Sequence, residues 1–170
     1  MSERKETVYF LDTSALIPKL TMGHADHQRI SQALGRSRAF IDALVLEEYQ
    51  AGVKDDAARR REWIDIQRQF AVVPFGAESS LLAAKIFRIC KEKNVVPKSD
   101  NQQKQRVKAD ISIIADAVLA RADVVLFADG NFAAIGNALE KEDLGLEYEI
   151  PEFRDLKTIP YQPELPSVGL

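Results

Sequence analysis

Cysteine, histidine and long apolar runs are scarce in this chain, and each scarcity excludes a class of protein. The 170 residues include one cysteine and two histidines, so neither an internal disulfide nor a cysteine-rich zinc site can form. No apolar stretch approaches the roughly 20 residues that a membrane-spanning helix needs. The first residues, MSERKET, lack the apolar region of a secretory signal. We therefore expect a cytoplasmic protein that makes no contact with a membrane.

The sequence also lacks the motifs of several large enzyme classes. It contains no G-x-x-x-x-G-K-[ST], G-x-G-x-x-G or G-x-S-x-G segment, which excludes the simplest phosphate-loop, dinucleotide-binding and serine-hydrolase interpretations. The formal net charge of −3 argues against a surface that is basic throughout and binds nucleic acid non-specifically. Hydrophobic residues make up 46% of the chain, which is enough to bury the core of one domain.

Short apolar runs alternate with amphipathic stretches along the chain, a pattern typical of an α/β fold. The runs predict strands at residues 7–11, 39–41, 70–73, 124–128 and 146–150. The amphipathic stretches predict helices at residues 24–35, 43–69, 77–94, 110–122 and 131–140. Apolar strands separated by helices belong to parallel sheets that are covered on both faces. We therefore expect a three-layer α/β sandwich whose central, mainly parallel sheet of about five strands is flanked by helices.

Two polar segments stand apart from this pattern. Residues 95–108 (VVPKSDNQQKQRVK) are typical of a loop that is longer than most connections. The last ten residues, YQPELPSVGL, are typical of a proline-punctuated tail. The predicted organisation is one domain at residues 1–155 and an extended tail at residues 156–170. Apolar residues on the long helices and in the tail further predict a surface covered by a second copy or by a partner.

Carboxylates follow the apolar runs at the points where ligands bind in such sheets. Asp12 directly follows the first predicted strand, and Asp129 follows the fourth. The carboxyl ends of parallel strands lie at one edge of the sheet, and ligands bind beyond that edge. We therefore expect both side chains at the same edge. Asp110 opens a predicted helix and adds a third carboxylate. The segment LVLEEYQAG offers a fourth from Glu47 or Glu48, since successive helical residues point about 100° apart and only one can reach a given spot.

Each of the three aspartates also has a purely structural explanation. Asp12 suits a helix N-cap, Asp110 the positive end of a helix dipole, and Asp129 an Asp-Gly turn. Together, however, carboxylates gathered at one edge repel each other unless a cation neutralises them. Oxygen ligands without a histidine or cysteine partner suit Mg²⁺ or Mn²⁺. The sequence therefore predicts a binding site for one of these ions.

The order of these motifs resembles that of the PIN-domain nucleases, and among them the VapC-like toxins of toxin–antitoxin pairs. YFLDTSALI resembles the opening strand of that family with its aspartate. LVLEEYQAG resembles the segment in which a glutamate precedes a glycine by four positions, which favours Glu48 over Glu47. DISIIADA and VVLFADGNF resemble the segments that carry the two remaining aspartates. The matching residues are Asp12, Glu48, Asp110 and Asp129.

This resemblance implies an activity, a cofactor and partners. It implies a PIN-like fold and an endoribonuclease that hydrolyses RNA phosphodiester bonds with Mg²⁺ or Mn²⁺. The matching carboxylates would be both its metal ligands and its catalytic residues. It further implies a homodimer, inhibition by an antitoxin protein and a role as the toxin of a toxin–antitoxin pair.

Three further residues are candidates for supporting roles. We expect the Ser14 hydroxyl to support Asp12 or a bound water. We expect Asn131, where many family members carry another aspartate, to orient a ligand or the phosphate. Asp116 either contributes to the surroundings of the site or faces solvent. The basic residues of the segment 95–108 either contact RNA phosphates or belong to a solvated linker; they are Lys98, Lys104, Arg106 and Lys108.

Two other functions remain open on the sequence. A non-catalytic PIN-like module would bind RNA or protein without cleavage, although the retained carboxylates argue against it. A phosphatase of the haloacid-dehalogenase type also has an aspartate after its first strand. It needs a second aspartate two residues later, where this chain has Ser14.

Overall fold

Five parallel strands form the centre of the fold. The structure, a computed structural model, describes residues 6–145 and 149–160. The order of the strands across the sheet is β3-β2-β1-β4-β5, and every pairing between neighbours is parallel. Their bounds are β1 (Val8–Leu11), β2 (Arg38–Asp42), β3 (Ala71–Val73), β4 (Val124–Phe127) and β5 (Glu152–Asp155).

Seven helices connect and cover these strands in the described part of the chain. They are α1 (Thr13–Leu20), α2 (His27–Leu34), α3 (Ala43–Ala51), α4 (Asp56–Gln69), α5 (Ala77–Glu92), α6 (Asn101–Leu119) and α7 (Gly130–Leu139). The chain runs outward from β1 through β2 to β3, and then crosses back past β1 to β4 and β5. Because crossover connections are right-handed, the helices before β3 and the helices after it lie on opposite faces of the sheet. The predicted α/β sandwich is therefore confirmed. None of the helices in the described ranges is long and apolar enough to cross a membrane.

Burial on both faces explains the apolar sequences of the strands. The consecutive residues Phe10 and Leu11 of β1 have no exposed surface. Because their side chains point to opposite faces of the sheet, both faces must be covered. At the edge of the sheet, α7 lies very close to β5. A Cβ atom added to Gly136 would lie 2.7 Å from Cγ of Phe153, so the side chain of Phe153 occupies the space that any larger residue would need.

The structure corrects the predicted loop at residues 95–108. Helix α6 already begins at Asn101, because the side chain of Asp100 accepts a hydrogen bond from the backbone N–H of Gln103 and caps the helix. The polar residues that follow belong to a helix that is largely exposed in its first two turns. Asp110 therefore lies in the middle of α6, and its predicted place at a helix start is wrong.

Two other predicted helix boundaries are also wrong, and one helix was not predicted. The helix predicted at residues 43–69 is divided into α3 and α4, and Asp55 caps the second one. Helix α1 was not predicted, although Asp12 and the apolar residues after it form a regular helix start. The predicted helix at residues 24–35 is shorter and begins at His27.

The fifth strand lies later in the chain than the sequence predicts. Residues 146–148 of the predicted strand are outside the described residues, and Glu149 and Ile150 are not in a strand. Strand β5 is only partly buried, and its sequence EFRD lacks the apolar run that the other four strands share. The core includes Leu156 and Ile159, which belong to the predicted tail. The tail residues 161–170 are outside the described residues, and the domain boundary at residue 155 stays a prediction.

Candidate active site

Four carboxylates surround one pocket at the carboxyl edge of the sheet. Asp12 follows β1, Asp129 follows β4, Glu48 projects from α3 and Asp110 from α6. The structure therefore brings together all four carboxylates that the sequence singles out. The pocket has a volume of about 580 Å³ and is lined by Asp12, Thr13, Ser14, Ile17, Glu48, Gln105, Arg106, Ala109, Asp110, Asp129 and Asn131.

Asp12 is held in place by Ser14. Its Oδ2 atom accepts hydrogen bonds from the backbone N–H of Ser14 at 3.1 Å and from the Ser14 hydroxyl at 2.6 Å. The same hydroxyl oxygen accepts a hydrogen bond of 2.8 Å from the backbone N–H of Ala128, just after β4. The predicted contact between Ser14 and Asp12 is thus present, and it also joins the ends of the two central strands. Burial raises the pKa of Asp12, and these hydrogen bonds oppose that rise.

Glu48 and Glu47 face different pockets. Oε2 of Glu48 accepts a hydrogen bond of 2.5 Å from the hydroxyl of Thr13, next to Asp12. Glu47 instead lines a mainly apolar groove between α3 and α4, opposite Trp63. Glu48, and not Glu47, therefore lies in the pocket with Asp12, and its catalytic role stays a prediction.

Asp110 is oriented by a chain of two amides. Its Oδ2 atom accepts a hydrogen bond of 3.0 Å from Nδ2 of Asn131, and Oδ1 of Asn131 accepts one of 3.0 Å from Nε2 of Gln103. The pKa of Asp110 is raised to about 7. Burial is the largest cause, the negative charges of Asp12, Asp129 and Glu48 add to the rise, and the hydrogen bond from the Asn131 amide opposes it. The four carboxylates therefore interact electrostatically in the folded protein.

Asp129 both caps a helix and lines the pocket. It is the N-cap of α7, with its Oδ1 atom accepting a hydrogen bond of 2.8 Å from the backbone N–H of Asn131, and it also lines the pocket. Asp12 caps α1 in the same way. The predicted helix cap at Asp12 is therefore confirmed, whereas Asp129 caps a helix instead of forming the predicted Asp-Gly turn. Capping does not compete with a role in the pocket.

The donor set suits a hard divalent cation, although the side chains are not yet arranged around one. Among residues 6–145 and 149–160, no group of three or more His, Cys, Asp or Glu side chains is arranged to hold a metal ion. Several of the pocket carboxylates are engaged with hydroxyl or amide donors, so binding a cation would require side-chain rotation. Four mutually repelling carboxylates around one pocket nevertheless fit Mg²⁺ or Mn²⁺ in charge and donor type.

Asp116 does not line the pocket and does not face solvent. It forms a buried pair with Asp42 at the end of β2, and neither residue has exposed surface. Oδ1 of Asp116 accepts a hydrogen bond from the Ser79 hydroxyl, and Oδ1 of Asp42 accepts one from the backbone N–H of Leu44. Their Oδ2 atoms have no donor among the described residues, unless one carboxyl carries a proton and donates it to the other. Burial and Asp116 raise the pKa of Asp42 to about 8, which keeps that proton in place at neutral pH.

Sequence reasoning missed Thr13 and Gln103. Thr13 could have been found, since it follows the N-cap residue Asp12 and must lie in the first turn of the next helix. Gln103 gave no usable signal, because its partner Asn131 lies 28 residues away and on a different helix.

A model of the PIN domain family matches residues 9–138 of the sequence. This chain belongs to the PIN-domain family. The matched region runs from β1 almost to the end of α7 and contains all four pocket carboxylates.

Solved structures of toxin–antitoxin complexes contain chains with the fold of this PIN domain. One is VapBC2 from Rickettsia felis bound to a DNA fragment from its promoter, with a TM-score of 0.61, 14% identity, and 88% of this chain and 98% of that chain covered. Another is VapBC-1 from nontypeable Haemophilus influenzae, with a TM-score of 0.59 and 17% identity; the match covers 89% of this chain and 99% of that chain. A third is VapBC-5, a member of the VapBC family from Mycobacterium tuberculosis, with a TM-score of 0.53 and 17% identity; the match covers 88% of this chain and 97% of that chain. At these identities the likeness shows a common fold. Among curated proteins, no sequence matches this chain significantly.

Proposed function

We propose that this PIN domain is an endoribonuclease that hydrolyses RNA phosphodiester bonds with Mg²⁺ or Mn²⁺. The observation that carries the proposal is the set of four carboxylates around one pocket; Asp12, Glu48, Asp110 and Asp129 are the proposed metal ligands and catalytic residues. Carboxylates this close repel one another unless a cation neutralises them. Groups with shifted pKa values, such as Asp110, are also common at functional sites. Membership of the PIN-domain family supports the same activity.

The chain's own residues would position the reacting groups. A divalent ion in the pocket would lower the pKa of a water molecule and neutralise charge on the phosphate in the transition state. Ser14 would hold Asp12, Thr13 would hold Glu48, and the amide of Asn131 would orient Asp110, each through the hydrogen bond described above.

The proposal extends to the biological role. The protein would be the cytoplasmic toxin of a toxin–antitoxin pair, would form a homodimer, and would be inhibited by an antitoxin protein. Support comes from the fold that it shares with chains of VapBC complexes. Large apolar side chains on its surface also suit such partners, since Met22 and Leu81 are 84% and 75% exposed.

Two aspartates that cap helices provide a matched test of the activity. Asp129 caps α7 at the pocket, whereas Asp55 caps α4 outside it. Asparagine caps helices as well as aspartate does, so both Asp→Asn variants should fold. With purified protein, RNA and Mn²⁺, we expect Asp129→Asn to lose roughly 100-fold or more in cleavage rate and to bind Mn²⁺ more weakly by calorimetry. Asp55→Asn should match the wild type in both measurements.

The other outcomes discriminate between the remaining functions. Equal activity of Asp129→Asn and the wild type would contradict the proposed mechanism. RNA binding without metal and without cleavage would favour the non-catalytic module, and turnover of a small phosphate ester without RNA cleavage would favour a phosphatase. The toxin role predicts that expression of the wild type, but not of Asp129→Asn, slows bacterial growth.

A further inference from the structure

Arg106 differs from the other basic residues of its segment in its position on α6. It lines the carboxylate pocket, together with Gln105 and Ala109. Lys108 lies two residues later on the same helix, but its ammonium group lies 5.5 Å from the centre of the Phe87 ring on α5. Helical geometry places residues two apart on different faces, so one cation faces the pocket and the other faces the neighbouring helix.

The guanidinium group of Arg106 has no partner among the residues that the structure describes. Arg106 is exposed, and within residues 6–145 and 149–160 it forms no ion pair and no hydrogen bond. Arginine presents several N–H donors in a fixed plane that matches two oxygens of a phosphate. An unpaired arginine at the wall of an otherwise acidic pocket is therefore available to an anionic ligand.

The location of Arg106 selects the part of the substrate that it can contact. Arg106 precedes Asp110 by one helical turn, which is about 6 Å along the helix axis. A nucleic acid strand whose scissile phosphate lies at the carboxylates carries further phosphates on either side, and these would otherwise face an acidic wall. We propose that Arg106 binds a phosphate of the RNA strand adjacent to the scissile one. This inference rests on the proposed endoribonuclease function and names the contact that holds the strand in the pocket.

The first test compares Arg106→Gln with Lys108→Gln. Both variants remove one positive charge from the same helix, so long-range electrostatics change equally and only the local contact differs. We expect Arg106→Gln to raise KM for RNA about 10-fold, as for one hydrogen-bonded charge contact, while Lys108→Gln keeps the wild-type KM. Calorimetric Mn²⁺ binding and the melting temperature should be unchanged in both variants, which separates a substrate contact from damage to the site.

The second test removes the charge from the RNA instead. In an oligonucleotide whose cleavage site has been mapped, the phosphate before or after that site is replaced by an uncharged methylphosphonate. For the wild type, one of these two replacements should raise KM about as much as Arg106→Gln does. The same replacement should have no further effect on Arg106→Gln, because the contact is already missing.

The outcomes separate this inference from the proposed function. Two results would show that Arg106 does not bind an adjacent phosphate. In the first, the wild type cleaves RNA but Arg106→Gln has the same KM as Lys108→Gln. In the second, the increases in KM caused by the variant and by the methylphosphonate add at both positions. If the wild type cleaves no RNA with either metal, the proposed function itself is wrong, and the inference falls with it.

Discussion

Asp42→Asn should make the protein more stable at alkaline pH, because it removes a buried acid that forms no ion pair with any residue in the described part of the chain. Asp42 and Asp116 are both fully buried, and each has one oxygen without a donor among the described residues. An asparagine amide can still accept the hydrogen bond from the N–H of Leu44 and can donate its own N–H to Asp116. The substitution therefore keeps the cap of α3 and supplies the donor that the ionised pair lacks.

The direction of the pH effect follows from proton binding. Burial, followed by the hydrogen bond and the charge of Asp116, raises the pKa of Asp42 from 3.8 to about 8. Between these values the folded protein binds more protons than the unfolded chain, so the free energy of unfolding decreases as the pH rises through this range. One pKa unit corresponds to about 1.4 kcal/mol, and the whole range to about 6 kcal/mol. Since an ionised buried pair relaxes and admits water, we expect a loss of roughly 2–3 kcal/mol.

Urea unfolding followed by circular dichroism between pH 5 and pH 9 measures this effect. At pH 5 Asp42→Asn and the wild type should agree within roughly 0.5 kcal/mol, and at pH 9 the variant should be more stable by roughly 2 kcal/mol. Asp55→Asn is the control, because it removes an exposed capping carboxylate and should keep the wild-type dependence on pH. The reasoning is refuted if Asp42→Asn loses stability with pH as steeply as the wild type does.

Three further predictions concern other parts of the molecule. Glu48→Gln should lose most RNA cleavage and weaken Mn²⁺ binding while Glu47→Gln loses little, and the reverse ranking in the same assay would assign the site to the other helix face. The Cys90 thiol has no exposed surface, and burial raises its pKa to about 11. Because a reagent cannot reach it in the folded state, modification at pH 8 should be only as fast as unfolding, and immediate modification would contradict this. Gly136→Ala should lower the free energy of unfolding by about 1–3 kcal/mol, because the added Cβ would lie 2.7 Å from Cγ of Phe153. An unchanged midpoint in urea would mean that α7 and β5 can separate at no cost.

Local sequence alone determined the sheet and the carboxylates at its edge. Asp12 and Asp129 could be placed together because buried parallel strands have continuous apolar sequences, and their carboxyl ends share one edge whatever the details of packing. Glu48 could be separated from Glu47 by the glycine four residues later and by resemblance to a family. The placement of Asp12 and Asp129 needed only the apolar pattern of the chain and the direction of its strands. The catalytic roles of these residues stay predictions until cleavage is measured.

Only the tertiary structure decided the position of Asp110 in the middle of α6 and the amide chain that orients it. It also decided that Asp116 pairs with Asp42 rather than facing the pocket or solvent, and that Arg106 faces the pocket while Lys108 contacts the Phe87 ring. Each of these facts depends on contacts between elements far apart in the chain, and the period of one helix does not specify which face meets which partner. Strand β5 escaped prediction for a related reason: it is only partly buried, and its sequence EFRD lacks the apolar run by which the other four strands were found, including β3 at the opposite edge.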